Sequence, residues 1–168
     1  GIHGETSEGA VRRLEASILL RKPDLVLIMY GTNDAYIDTC QDELDRTARL
    51  PLAQYNKNME SIVRRLLDTG IRPVLMTPIT MGDFSCVRLG IYRKQGINFN
   101  LRLYAQSLRV LADKYRLPLV DHFQIWESIG KKGGNINFWL SDGVHPNVAG
   151  NRFIARTIYR VLVRLLCK

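Results

Sequence analysis

Two short motifs hold the residues best suited to chemistry in this chain. Tyr30-Gly31-Thr32-Asn33-Asp34 ends an apolar run, and Asp142-Gly143-Val144-His145-Pro146-Asn147 precedes a helix-like segment. His145 offers a base whose ordinary pKa lies near neutral pH. Asp142, three residues earlier, is spaced to accept a ring N–H and fix the tautomer. Asn33 offers a side-chain amide for the negative charge that builds on a carbonyl oxygen, and one such donor is typically worth about 3–4 kcal/mol. A base, its orienting acid and an amide donor are what acyl transfer to a hydroxyl nucleophile requires. Each motif alone also fits a turn, with Asp142 capping the next helix. Their order, each at an element boundary, favours the chemical reading.

No nucleophile stands in a recognisable place. There is no Gly-x-Ser-x-Gly elbow. Ser85, in Gly82-Asp83-Phe84-Ser85, follows the second apolar run rather than the first. Ser7 and Ser141 lie beside the motifs, where capping and turn roles suffice. Asp34 is read as a structural or capping group. His3 and His122 have no partner pattern and are read as structural or solvent-facing. Three scattered histidines make no zinc site, and no metal or cofactor is expected.

The elements that must position these residues alternate. Leu25 to Tyr30 and Pro73 to Thr77 are continuous apolar runs, as in strands buried on both faces, and Leu117 to Val120 is a third. Helical spacing marks Ser7 to Leu20, Pro51 to Asp68, Leu101 to Tyr115 and Val148 to Leu166. Pro51 suits a first helical turn and Gly70 a C-terminal stop. Helices between successive strands imply parallel strands with right-handed crossovers, and sites at the strands' carboxyl ends. Asn33 directly follows the first strand. Thr80 to Asn100 reads as a long Gly-containing loop of the kind that often holds substrate; Arg88, Tyr92, Arg93 and Lys94 in it are read as solvated, with contact to an anionic substrate as the alternative. No strand precedes the first helix, and three strands make a thin sheet with exposed apolar edges. The start of the domain is therefore expected to lie outside the chain.

Composition sets wider bounds. The 168 residues suit one domain, with 46% hydrophobic and 24% charged residues. No apolar run is long enough to span a membrane. The net charge of +8 rests on arginines spread along helices, including Arg12, Arg13, Arg64, Arg65, Arg152, Arg156, Arg160 and Arg164. No aromatic residues interleave with them as a base-stacking platform, so they are read as solvated faces, not a nucleic-acid surface. Cys40, Cys86 and Cys167 have no metal spacing; free thiols are expected, with a Cys40–Cys86 disulfide as the alternative. Compartment and oligomeric state stay open, and any signal peptide would lie upstream of residue 1.

With these motifs in order, the chain resembles the SGNH (GDSL-type) hydrolases. Gly31-Thr32-Asn33-Asp34 is similar to that family's GxND block, and Asp142-Gly143-Val144-His145 to its DxxH block. Gly1-Ile2-His3-Gly4-Glu5-Thr6-Ser7 looks like the tail of its glycine block. The resemblance implies a flavodoxin-like three-layer α/β/α fold with a parallel sheet, residues 1–168 forming one N-terminally truncated domain. It implies His145 as base, Asp142 as its orienter, and Asn33 with the Gly4 N–H as oxyanion donors. The substrate would be a small ester, a carbohydrate acetyl group or a lysophospholipid-like acyl group. The Gly-Asp-Ser block that brings the nucleophile is absent. An esterase fold inactive as this chain stands is therefore expected; the alternative is a non-catalytic binding module on the same fold.

Overall fold

A computed structural model describes residues 2–37, 47–83 and 90–167. Its elements run α1 (Ser7–Ser17), β1 (Leu25–Ile28), α2 (Thr32–Ala35), α3 (Leu52–Asp68), β2 (Arg72–Met76), α4 (Gly90–Gln95), α5 (Phe99–Tyr115), β3 (Leu119–Val120), α6 (His122–Lys131) and α7 (Val148–Leu166). Single 3-10 turns occupy Leu19–Arg21 and Ile136–Trp139.

The three strands form a parallel sheet in the order β1-β2-β3, with Leu27 opposite Val74 and Leu75 opposite Leu119. Alternation along β2 divides the core. Leu75 joins α1, α3 and α5 residues, among them Leu14, Met59, Val63, Leu66 and Leu108. Val74 and Met76 point the other way, against Ile158, Val161 and Leu165 of α7. The result is the expected three-layer α/β/α arrangement. A smaller cluster of Ile79, Trp126, Leu140 and Ile154 joins α6 to α7. Full burial of such side chains contributes roughly 1.5–3 kcal/mol each.

The helices follow their apolar spacing closely. α3 buries Tyr55, Met59, Ile62, Val63 and Leu66 and exposes its charged face. It stops at Gly70, whose φ of 74° is open to glycine at little cost, and Ile71 N–H then returns to the Leu66 carbonyl at 2.9 Å.

Several boundaries differ from the sequence reading. The first and third strands are shorter than their apolar runs. After Ile28 the chain turns into α2 through Gly31. β3 has only two residues because Pro118 offers no N–H and Asp121 already caps α6, its Oδ1 accepting Gln124 N–H at 3.1 Å. α6 was not expected; its ten residues bury only His122, Phe123 and Trp126, too short a pattern to read as a period. Thr80 to Asn100 holds α4 and the start of α5 instead of being one loop. Tyr92 there turns inward, its OH accepting Ile37 N–H at 2.8 Å, so it is neither solvated nor open to substrate. Arg93 and Lys94 are exposed, whereas Arg88, Ser85, Cys40 and Cys86 lie outside the described residues.

Among the described residues β1 has a strand neighbour on one side only, and Leu27 and Met29 are 38% and 42% exposed. A groove beside it is lined by Ala10, Leu14, Ile18, Val26, Leu27 and Leu66, among others. This matches the apolar edge foreseen from three strands. Among the described residues no helix is long and apolar enough to cross a membrane.

Candidate active site

Both motifs fall at the carboxyl end of the sheet. Asn33 sits in α2, the single turn that follows β1. Gly31 enters that turn at φ 131°, where a Cβ would press on the Tyr55 hydroxyl and the Pro78 ring. His145 sits in the loop before α7. That loop is folded on itself by an antiparallel bridge between Leu140 and Pro146, by Ser141 N–H to the His145 carbonyl at 2.8 Å, and by Asn147 N–H to the Trp139 carbonyl at 2.9 Å. Gly82 N–H, beyond β2, reaches the Gly143 carbonyl at 2.7 Å and ties the loop to the sheet's end. Asn147, not Asp142, caps α7: its Oδ1 accepts Gly150 N–H at 3.0 Å.

Asp142 is therefore free for the ring. Its Oδ2 lies 2.6 Å from His145 Nδ1, and its Oδ1 accepts the N–H groups of Val144 and His145 at 2.9 and 2.8 Å. These donors, the His145 backbone N–H first, hold the Asp142 carboxyl down at about 2. With Nδ1–H donated to Asp142, Nε2 carries the free lone pair, as a general base requires. Both side chains are open, at 63% and 55% exposure.

The glycine turn lies alongside. The His3 ring stacks on the His145 ring at 6.3 Å between centroids and 20° between planes, so His3 has a neighbour that the sequence did not suggest. Gly4 follows in a left-handed conformation, φ 68°. Its N–H makes no backbone hydrogen bond among the described residues. Asn33 Nδ2 donates to the Glu5 carbonyl at 3.0 Å, which joins the Gly4 turn to α2. Asp34 makes a second tie: its Oδ1 accepts Ser7 N–H at 2.8 Å. Asp34 is fully buried, its Oδ2 has no partner among the described residues, and burial pushes its carboxyl above the ordinary range.

Ser7 is not the cap it was read as. It is buried, with Oγ accepting Asn58 Nδ2 at 3.1 Å, so it is closed to substrate as well. Arg13 corrects another expectation. It does not line a solvated face but grips Glu5 with two hydrogen bonds of 2.7 Å and donates to the Tyr30 hydroxyl at 2.9 Å. Nothing in sequence spacing pointed to this Glu5–Arg13–Tyr30 contact, whose members lie on three elements. His122 is buried between α6 and α7, the structural alternative of its two readings. Cys167 is a free, exposed thiol.

Known proteins place the arrangement. The GDSL-like Lipase/Acylhydrolase family matches residues 1–158. The chain is 29% identical over 134 residues to the lipoprotein YqeF of Bacillus subtilis, covering 74% of this chain and 53% of that protein. It is 27% identical over 142 residues to the isoamyl acetate-hydrolyzing esterase 1 homolog of Bos taurus, covering 80% and 54%. The chain thus spans about half the length of these curated relatives. Among solved structures it is similar to the acetyl xylan esterase AlAXEase, with a TM-score of 0.79 and 23% identity over 95% of this chain and 77% of that one. It is also similar to the acetylxylan esterase Axe2 of Geobacillus stearothermophilus, with a TM-score of 0.77 and 24% identity over 96% and 69%. At such identities these structures speak for the fold, the flavodoxin-like α/β arrangement of SGNH hydrolases. The chain belongs to the GDSL-like lipase and acylhydrolase family.

Proposed function

We propose that this chain carries the base and oxyanion half of a serine esterase that cleaves small acyl esters. His145 takes the proton of a serine hydroxyl through Nε2 while Asp142 holds Nδ1–H and steadies the imidazolium that forms. The Asn33 amide and the Gly4 N–H receive the charge on the tetrahedral intermediate's oxygen. His145 then returns the proton to the leaving alcohol. The observation that carries this reading is the 2.6 Å Asp142–His145 contact, next to a glycine turn tied to Asn33. Ser7 is buried and no Gly-Asp-Ser stands in the sequence, so in this reading the nucleophile comes from outside these 168 residues. The edge of β1 that has no strand neighbour among the described residues is where a further strand would reach both halves. A relative named for isoamyl acetate and neighbours named for acetyl xylan support a short acyl group, acetyl above all.

Hydrolysis of p-nitrophenyl acetate tests the proposal. The gene product containing this chain should turn the ester over, and His145→Ala should abolish turnover. Unchanged turnover in that variant removes His145 from the mechanism. Saturable turnover by the 168 residues alone would refute the external nucleophile. The missing Gly-Asp-Ser favours a second reading, a non-catalytic binding module on this fold; it would give ester binding without turnover in the whole gene product.

A further inference from the structure

The groups that hold Asn33 and Gly4 lie outside the two motifs. Glu5, next to Gly4, uses both of its ends. Its carbonyl accepts Asn33 Nδ2 at 3.0 Å. Its carboxylate, 8% exposed, accepts Arg13 Nε on Oε1 and Arg13 Nη2 on Oε2, both at 2.7 Å. The Tyr30 hydroxyl donates to the same Oε2 at 2.7 Å and accepts from Arg13 Nη2 at 2.9 Å. The ring of contacts closes over the Gly4 turn, α1 and the end of the β1 segment. We infer that Arg13, Glu5 and Tyr30 are positioning residues that fix the Asn33 amide and the Gly4 turn as one unit and keep the Glu5 charge neutralised beside it. The inference rests on the reading of Asn33 and Gly4 as oxyanion donors.

An asparagine amide has two N–H groups in one plane, so a carbonyl that holds one fixes where the other points. The Glu5 carbonyl does this, and the bidentate Arg13 fork limits how far the Glu5 residue can turn. A bare carboxylate one residue from Gly4 would oppose negative charge developing on a substrate oxygen. Arg13 cancels it, in a fork that lysine cannot reproduce. An ordinary structural ion pair predicts neither effect.

The Asn33 side-chain amide of the ¹⁵N-labelled chain reads the first effect directly, with the buried Asn58 amide as reference. Arg13→Met should speed hydrogen exchange at Asn33 roughly tenfold, the usual scale for losing one restraining hydrogen bond, and leave Asn58 unchanged. Unchanged Asn33 exchange overturns the inference, as does an equal rise at both amides, which would mean general loosening. Ester hydrolysis by the gene product containing the chain reads the second effect. Arg13→Met should lower kcat about 100-fold with little change in KM, the scale of one misplaced oxyanion donor. The double variant Glu5→Gln/Arg13→Met should recover part of that loss, because the uncompensated charge is gone. An unchanged kcat in Arg13→Met, or a double variant no better than it, overturns the role of charge and position. If His145→Ala leaves turnover intact, the esterase reading fails and the Asn33 exchange alone decides the clamp.

Discussion

Acidification should loosen this fold through His122. The residue is fully buried at the start of α6, and its Nδ1 lies 3.2 Å from Thr157 Oγ1 on α7. The Thr157 hydroxyl already donates to the Ile154 carbonyl at 2.7 Å, so Nδ1 must be the donor of the first contact. Nε2 is then a bare lone pair, with no partner among the described residues. Protonating it buries a charge and an unpaired N–H together. Burial accordingly pulls the His122 pKa down to about 4 from 6.5, and the neighbouring Asp121 carboxylate offsets only part of the effect. The folded pKa lies below the unfolded one, so stability is fully present above about pH 6.5 and is lost as pH falls toward 4. At pH 4.5 the linkage comes to about 2–3 kcal/mol. With urea slopes typical of small domains, that is a midpoint shift of about 1–2 M. His122→Gln titrates nowhere in this range. Its midpoint should start lower at pH 7.5 yet fall by about 1–2 M less than that of the unaltered chain between pH 7.5 and 4.5. The carboxylates, His3 and His145 are common to both proteins and cancel in the comparison. Equal losses in the two proteins would refute the argument.

Other perturbations separate packing from chemistry. Gly150→Ala drives a Cβ into the Trp139 carbonyl oxygen and the Pro146 ring, and should cost about 1–3 kcal/mol in urea unfolding. Asp34→Ala leaves the buried Ser7 N–H without its acceptor and should cost about 1–3 kcal/mol by the same assay; Asp34→Asn, which keeps an acceptor and sheds a buried charge, should cost less. Asp142→Asn in the gene product containing this chain should lower kcat on p-nitrophenyl acetate by about 10⁴-fold, the scale of a mis-set tautomer, with an unchanged circular dichroism spectrum.

The fold was legible wherever one period ran long enough. α3, α5 and α7 each carry an apolar stripe over four or more turns, and their bounds fall within two residues of those read from spacing. The apolar run of β2 was equally plain, since that strand is covered on both faces, and the run of β1 reads the same way although Leu27 stays 38% exposed at the sheet's edge. α6 was hidden because only three of its residues are buried. Its partner is the Trp139–Phe153 stack, 4.7 Å between rings, formed by residues that no local pattern links to it. β3 was overestimated because LPLV is apolar throughout, while pairing stops where Pro118 and the Asp121 cap interrupt it.

The two halves of the candidate site differ in the same way, and the difference bears on how they will respond to change. Asp142 and His145 are three residues apart, and every hydrogen bond of Asp142 stays within its own loop. Spacing alone was enough to pair them. Exposed as both are, their contact contributes to stability only on the scale of a surface pair, about 0–1 kcal/mol. Substitution there should change chemistry and leave folding alone. The Gly4–Asn33 half depends on bonds spanning 25 to 51 residues, from Glu5 to Tyr30 and Asn33 and from Ser7 to Asp34 and Asn58. No linear motif encodes those, which is why the Glu5 contacts went unread and Arg13 was read as part of a solvated face. The two bonds from Ser7 are buried, so their loss weakens the fold and misplaces the proposed donors together. A variant in this half is therefore informative only beside a stability measurement, whereas one in the Asp142–His145 loop reports on the proposed base directly.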